Sequence, residues 1–143
     1  MSEFSRYHFR VKFHDTDAMG VIHHSKHIKY FEEARVEFLR EKEMKWHNRS
    51  DKPLIFAVVS LATQYLKPAR FDEELQVWTQ ARLQGARIQF QYAIFSELQK
   101  SFIALGTTEL IALDDKLIPK RLPKDLVQAF KSIDWNENWP PKL

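Results

Sequence analysis

The 143 residues predict one α+β domain: a five-stranded antiparallel sheet wrapped around one long central helix, with a short helix near the C-terminus. Three observations carry that expectation. One stretch, residues 25–43, spaces its apolar side chains at the helical period, whereas five others alternate with period two. The later strands are joined by short turns, which suit antiparallel pairing, since parallel strands need long crossovers. A single sheet and a single apolar helix stripe complete each other when the sheet curls around the helix.

The elements follow in order. "YHFRVKF" sets Tyr7, Phe9, Val11 and Phe13 on one face and predicts a first strand over 7–13. Asp15, Asp17 and Gly20 are loop formers, so residues 14–23 leave the strand. In the helix, Ile28, Phe31, Ala34, Phe38 and Leu39 fall on one stripe, while Glu33, Glu37, Arg40 and Lys42 point elsewhere. Ser25 suits the N-cap. Residues 45–53 form a loop, and 54–66 form a long apolar strand closed by "KPARFDEE". Leu75, Val77, Thr79, Ala81 and Leu83 then alternate with polar neighbours, and "QGAR" turns the chain into Ile88, Phe90, Tyr92 and Ile94. That is a hairpin. Residues 102–113 give a fifth strand, and Leu126, Val127 and Phe130 a short helix after Pro123. The face of the sheet away from the helix carries Trp78, Phe95 and Ile103, too much apolar surface for open water, so a second chain is expected to cover it.

Composition removes several function classes. There is no cysteine, so disulfides, thiolate zinc sites and a Cys nucleophile are excluded. The opening residues lack a basic segment followed by an apolar run, and no apolar stretch is long enough to span a bilayer. A cytoplasmic protein without a transmembrane segment is expected. Net charge is +3 and the two signs alternate along the chain, which argues against nucleic acid as a partner. No repeat, linker or low-complexity tract interrupts residues 1–143, so one domain is expected.

The chemistry concentrates in "HDTDAMGVIHHSKHIKYFEEAR", residues 14–35. Together with "YLKPARFDEELQV", this stretch resembles the hot-dog-fold acyl-CoA thioesterases. The branch is that of 4-hydroxybenzoyl-CoA thioesterase and the Tol-Pal-associated YbgC-type enzymes. Their pattern of Asp-x-Asp-x-x-Gly, two aliphatic residues, two ring-bearing residues and a helical Glu-x-x-Arg lies here on Asp15, Asp17, Gly20, Val21, Ile22, His23, His24, Glu32 and Arg35. The resemblance implies a hot-dog fold and hydrolysis of an acyl-CoA thioester to free acid and coenzyme A. It implies that Asp17 is the catalytic carboxylate and that the amide at His24 holds the thioester oxygen. It implies no cofactor, coenzyme A being part of the substrate, and a homodimer or homotetramer with sites at the subunit boundary. Strand residues such as Tyr65 or Arg87 would then reach each site from the other chain.

The physical chemistry of the stretch is compatible with that role. Thioester hydrolysis develops an oxyanion, and a helix entrance offers unpaired amides and the positive end of the helix dipole. Gly20 lets the backbone turn closely there. A carboxylate just upstream can attack the carbonyl or activate a water, and the sequence leaves both roles open.

Blander readings stand beside these. A loop Asp before a helix is commonly a turn former, and Asp15 suits that task through backbone amides. The His24 ring can polarise the thioester or hold water, or be a partly exposed ring at the helix entrance. His23 and His27 read as surface or packing residues. Arg35 falls in the apolar stripe and needs a partner, for which Glu32, one turn earlier, is placed; the pair would support the loop from behind. For the coenzyme A phosphates, Arg87 beside the "QGA" turn is the leading candidate, with Arg82, Lys67, Arg70, Lys120 and Arg121 as others.

Metal chemistry is the weaker alternative. His23 and His27 are four apart with His14, Asp15 and Asp17 nearby, but no His-Glu-x-x-His occurs and the two rings need not share a face. No metal is expected. No Gly-x-Ser-x-Gly marks a serine hydrolase. Besides a thioesterase, a non-catalytic acyl-thioester-binding scaffold and a metal-dependent hydrolase stay open. The acyl group depends on which of Phe56, Tyr65, Phe71 and Trp78 face the pocket.

Overall fold

In the computed structural model, which describes residues 4–47, 49 and 53–143, five strands form one antiparallel sheet. They are β1 (Ser5–Arg10), β2 (Ile55–Tyr65), β3 (Glu74–Gln84), β4 (Arg87–Ser96) and β5 (Ser101–Leu113), in the spatial order β1-β3-β4-β5-β2. Helix α1 (Lys26–Glu41) lies in the curve of the sheet, and α2 (Lys124–Lys131) packs near β3 at the end of the chain. This is the α+β arrangement the sequence predicts. Positions 48 and 50–52 of the expected loop lie outside the described residues.

The period of each segment decides what it buries. On α1, Tyr30, Phe31, Ala34, Phe38 and Leu39 are buried against the sheet. From the sheet they meet Leu75, Val77, Ala81, Ile88, Phe90, Tyr92, Ile94 and Leu110 in one cluster. Phe31 stacks on Tyr92 with ring centroids 4.6 Å apart. Gly106 permits that approach, because a Cβ there would stand 2.4 Å from the Phe31 ring. Ile28, expected on the same stripe, is exposed. It lines an open seam between α1 and β2 together with Val58 and Leu61.

Three local expectations change. The first strand stops at Arg10, opposite Glu74 where β3 begins; beyond it Val11 still exchanges backbone bonds with Asp72 and Glu73, but Asp72 takes a left-handed φ of 71° and the ladder ends. Val11 still turns inward, but the chain enters a 3-10 turn, Phe13–Asp15, and Phe13 points to solvent. Ser25 stands at the N-cap position with helical angles and makes no capping bond; its hydroxyl lies 2.8 Å from His23 Nδ1 instead.

The outer face of the sheet is also differently built. A register shift between Ile94 and Phe95 breaks the alternation, and Ile103 joins the main core. Trp78 and Phe95 do lie outside, stacked at 5.7 Å, with Phe4 and Phe102 against Trp78. Their cover is the chain's own C-terminal segment. Gln80 brackets both backbone groups of Asn136, the Arg82 guanidinium lies 4.2 Å from the Trp135 ring, and Trp139 meets the edge of Phe4. Trp78 is left 7% exposed, so the chain itself covers the centre of this face, while Phe4, Phe95 and Phe102 stay half-buried. Apolar surface is also open along β2, which among the described residues pairs only with β5 and leaves Val58, Leu61 and Tyr65 exposed. No helix among the described residues is long and apolar enough to cross a membrane.

Candidate active site

The loop between β1 and α1 is tied to the strand ends by backbone bonds. Bridges pair Thr16 with Ile22 and Val21 with Arg70, and the Ile22 amide donates to the Ala69 carbonyl at 2.9 Å. At the tip, Gly20 takes a left-handed φ of 79°, and its amide donates to the Asp17 carbonyl at 2.9 Å. Asp17 closes the turn: its amide donates to the Val21 carbonyl, and its Oδ1 accepts from the Met19 amide at 2.8 Å. The Val21 amide points at the same oxygen from 3.5 Å. All of these side-chain bonds go to Oδ1. Among the described residues no protein group bonds Oδ2.

Asp15 braces the loop, though not through backbone amides as expected. It is buried, and its Oδ2 accepts a 2.8 Å bond from the Tyr30 hydroxyl on α1. Burial, then this contact with Asp15, pushes the Tyr30 phenol well above its ordinary range. His14 Nδ1 lies 3.1 Å from Asp15 Oδ1, an ion pair when the imidazole is protonated. The turn-forming part falls to Asp17 itself.

Among the described residues the helix entrance leaves donors unused, the His24 amide being one of them. The His23 amide donates to the Asp15 carbonyl, the Ser25 amide to His23 Nδ1 and the Lys26 amide to the His23 carbonyl. The His24 amide donates to no acceptor among the described residues. The carbonyl of His24 accepts a 2.6 Å bond from the Tyr65 hydroxyl, which fixes this residue from the strand side. The His24 ring is exposed and stacks on His23 at 4.2 Å. Asp17, His24, His27 and Tyr65 line one cleft of about 330 Å³, with Val21 and Leu66 among its apolar walls.

Other expected residues stand elsewhere. Arg35 is held at the foot of the α1–β2 seam, where it donates to the Tyr92 hydroxyl at 3.1 Å, and Tyr92 bonds Thr108 at 2.7 Å. Its expected partner Glu32 lies 4.0 Å away and is largely solvated, so Tyr92 is the nearer partner and the pair does not touch the Asp17 loop. Arg87 pairs with Glu109 at 2.6 Å. Glu109 is five residues along β5 from Ala104, the partner of Tyr65, so Arg87 stands roughly 17 Å from the cleft within one chain. Arg82 is engaged by Gln89 and Trp135. Lys67 lines the cleft and donates to Ser101. Lys120 and Arg121 line a larger groove of about 1240 Å³ beside the β3–β4 turn and α2. Trp78 lies on the outer face and does not line the cleft, and Phe71 is exposed against Phe13.

His27 belongs to the cleft although the sequence reading set it aside. It is buried, three residues after His24, and its ring meets Tyr65 edge-on at 4.8 Å. The signal was the spacing of three, which puts both rings on one side of the helix. Among the described residues no three His, Asp or Glu side chains converge to hold a metal ion.

Comparison with known proteins agrees on one theme. The thioesterase-like superfamily profile matches residues 11–130. The acyl-CoA thioesterase YbgC of Haemophilus influenzae is 32% identical over 129 residues, 87% of this chain and 92% of that one. A probable thioesterase from Bartonella henselae superposes with a TM-score of 0.76 at 31% identity, covering 85% of this chain and 98% of the other. The DHNA-CoA thioesterase of Staphylococcus aureus gives 0.82 at 27% identity, over 90% and 89%.

Proposed function

The chain belongs to the thioesterase-like superfamily and is a thioester hydrolase of the hot-dog fold, and on that premise we propose that Asp17 and the His24 amide hydrolyse acyl-coenzyme A thioesters to free acid and coenzyme A. The observation that carries this reading is the pairing, in one cleft, of an amide with no acceptor and a carboxylate with one unbonded oxygen among the described residues. The thioester carbonyl oxygen sits on the His24 N–H, at the positive end of α1. As the carbonyl carbon becomes tetrahedral, negative charge grows on that oxygen and the bond strengthens.

Asp17 Oδ1 is held by the Met19 amide, which keeps Oδ2 aimed rather than free to rotate. Oδ2 takes the proton of an attacking water, or itself attacks the carbon; the thiolate of coenzyme A leaves in either case. Tyr65 holds the His24 carbonyl, so the donor keeps its direction as the substrate enters.

The working unit proposed here is a homodimer formed along β2. An eleven-residue strand with one unpaired edge and exposed Val58, Leu61 and Tyr65 is a ready template for a second copy. Two-fold antiparallel pairing sets the residue-55 end of one strand beside the residue-65 end of the other. That brings the Arg87 and Lys120 end of one chain toward the partner's cleft, where cations suit the phosphates of coenzyme A. Tyr65, by contrast, serves the cleft of its own chain.

The test is release of free thiol from a panel of acyl-CoA esters. Turnover of at least one ester supports hydrolysis; saturable binding of esters without thiol release would make the protein a binding scaffold.

A further inference from the structure

His27 shares the cleft with Asp17 but has no part in the hydrolysis described so far. The residue is 5% exposed, and Nδ1 is sealed from solvent without a hydrogen-bond partner among the described residues. The ring stands between two tyrosines, 4.8 Å from Tyr65 and 6.2 Å from Tyr30. A phenylalanine would fill that space and leave no nitrogen orphaned, a cost of about 1–3 kcal/mol. A buried polar ring in a reaction cleft calls for a polar task.

The state of the ring follows from its surroundings. Burial lowers its pKa below the ordinary imidazole value, while the backbone carbonyls of His24 and His23 act the other way. The neutral ring has one N–H and one lone pair. Of the two ring nitrogens, Nδ1 is the one sealed without a partner, and the tautomer taken here carries its hydrogen there. The lone pair then sits on Nε2, at the edge of the ring that remains to line the cleft.

We propose that His27 is a further catalytic residue: its Nε2 accepts a hydrogen bond from the attacking water and, with Asp17 Oδ2, aims that water at the thioester carbonyl. The proposal rests on the assignment of the cleft to hydrolysis by Asp17, and it makes Asp17 the general base. The water has two protons to place. One passes to Asp17 as the new C–O bond forms. The other points at His27, stays on the oxygen and ends in the product acid. The C–S bond breaks with its electron pair on sulfur, and the proton on Asp17 goes to the thiolate. His27 ends each turnover as it began.

The experiment compares His27→Phe, which keeps the ring and loses the acceptor, with His27→Gln, which restores an acceptor. Asp17→Asn is measured beside them by thiol release. His27→Phe should lower kcat about 100-fold with KM within about twofold, and His27→Gln should recover at least about tenfold of that loss. If the Phe variant does not fold, His27→Leu takes its place as the chain without an acceptor. A kcat of the folded apolar variant within about threefold of wild type overturns the proposal. So does a loss that appears only in KM, or one that Gln does not relieve. An inactive Asp17→Asn with an unimpaired His27→Phe removes only the role of His27. A fully active Asp17→Asn removes the assignment of the cleft itself.

Discussion

The Tyr65 hydroxyl donates to the His24 carbonyl oxygen at 2.6 Å, joining the end of β2 to the entrance of α1. Tyr65→Phe keeps the ring against His27 and removes only this bond. Turnover should fall about tenfold, with a loss of roughly 1 kcal/mol in stability. Parallel kinetic and denaturant measurements check both numbers. Unchanged kcat would mean that the helix entrance holds its direction without the strand.

Asp15 and Tyr30 are expected to act on stability more than on chemistry, because their bond is buried behind the loop. Tyr30→Phe should cost about 1–3 kcal/mol by leaving the Asp15 carboxylate without its donor. Its pH dependence has a definite sign. The folded phenol has a pKa above its unfolded value of 10.0, so below pH 10 the two states bind the same proton. Above that the unfolded chain loses it first, and stability falls as pH rises. Thermal melts from pH 8 upward should show the loss, and Tyr30→Phe should remove part of it; the buried Tyr92, whose pKa is also raised by burial, supplies another part.

Gly106→Ala puts a methyl group 2.4 Å from the Phe31 ring. The ring is fixed between α1 and Tyr92 and has nowhere to move, so about 1–3 kcal/mol of destabilisation is expected. A melting temperature equal to wild type would show that α1 can shift away from the sheet.

Much of this was legible in the chain and some was not, for identifiable reasons. Alternation gave the strands, and the helical stripe gave α1, because those periods state what is buried. Asp17, Gly20 and His24 were singled out by the resemblance to a family motif, and their shared place at one turn before α1 follows from local turn chemistry. Contacts that close over long sequence distances were not. Nothing in the pattern around Arg35 points to Tyr92, 57 residues on, and the nearer Glu32 was the natural guess. The segment from Trp135 to Trp139 carries no periodicity, so its place over Trp78 depends on the whole sheet being formed first. His27 reads from sequence as a surface or packing residue, because nothing local shows that Tyr65, 38 residues on, closes against its ring.

The open edge of β2 makes a prediction about assembly. Leu61→Asp places a charge on the exposed inner side of that strand, away from Asp17 and His24. Sedimentation should show a dimer for the wild-type protein and a shift toward monomer for the variant, with activity falling in step. An active wild-type monomer at assay concentration would rule out a site completed by a second chain.

Turnover by Asp17→Asn bears most directly on the chemistry. The substitution keeps the size of the side chain and an oxygen for the Met19 amide, and it removes the negative charge. With thiol release followed under saturating acyl-CoA, kcat should drop about 1000-fold while the melting temperature stays near that of wild type. A folded Asp17→Asn protein that keeps more than about a tenth of wild-type turnover would contradict Asp17 as the reacting carboxylate.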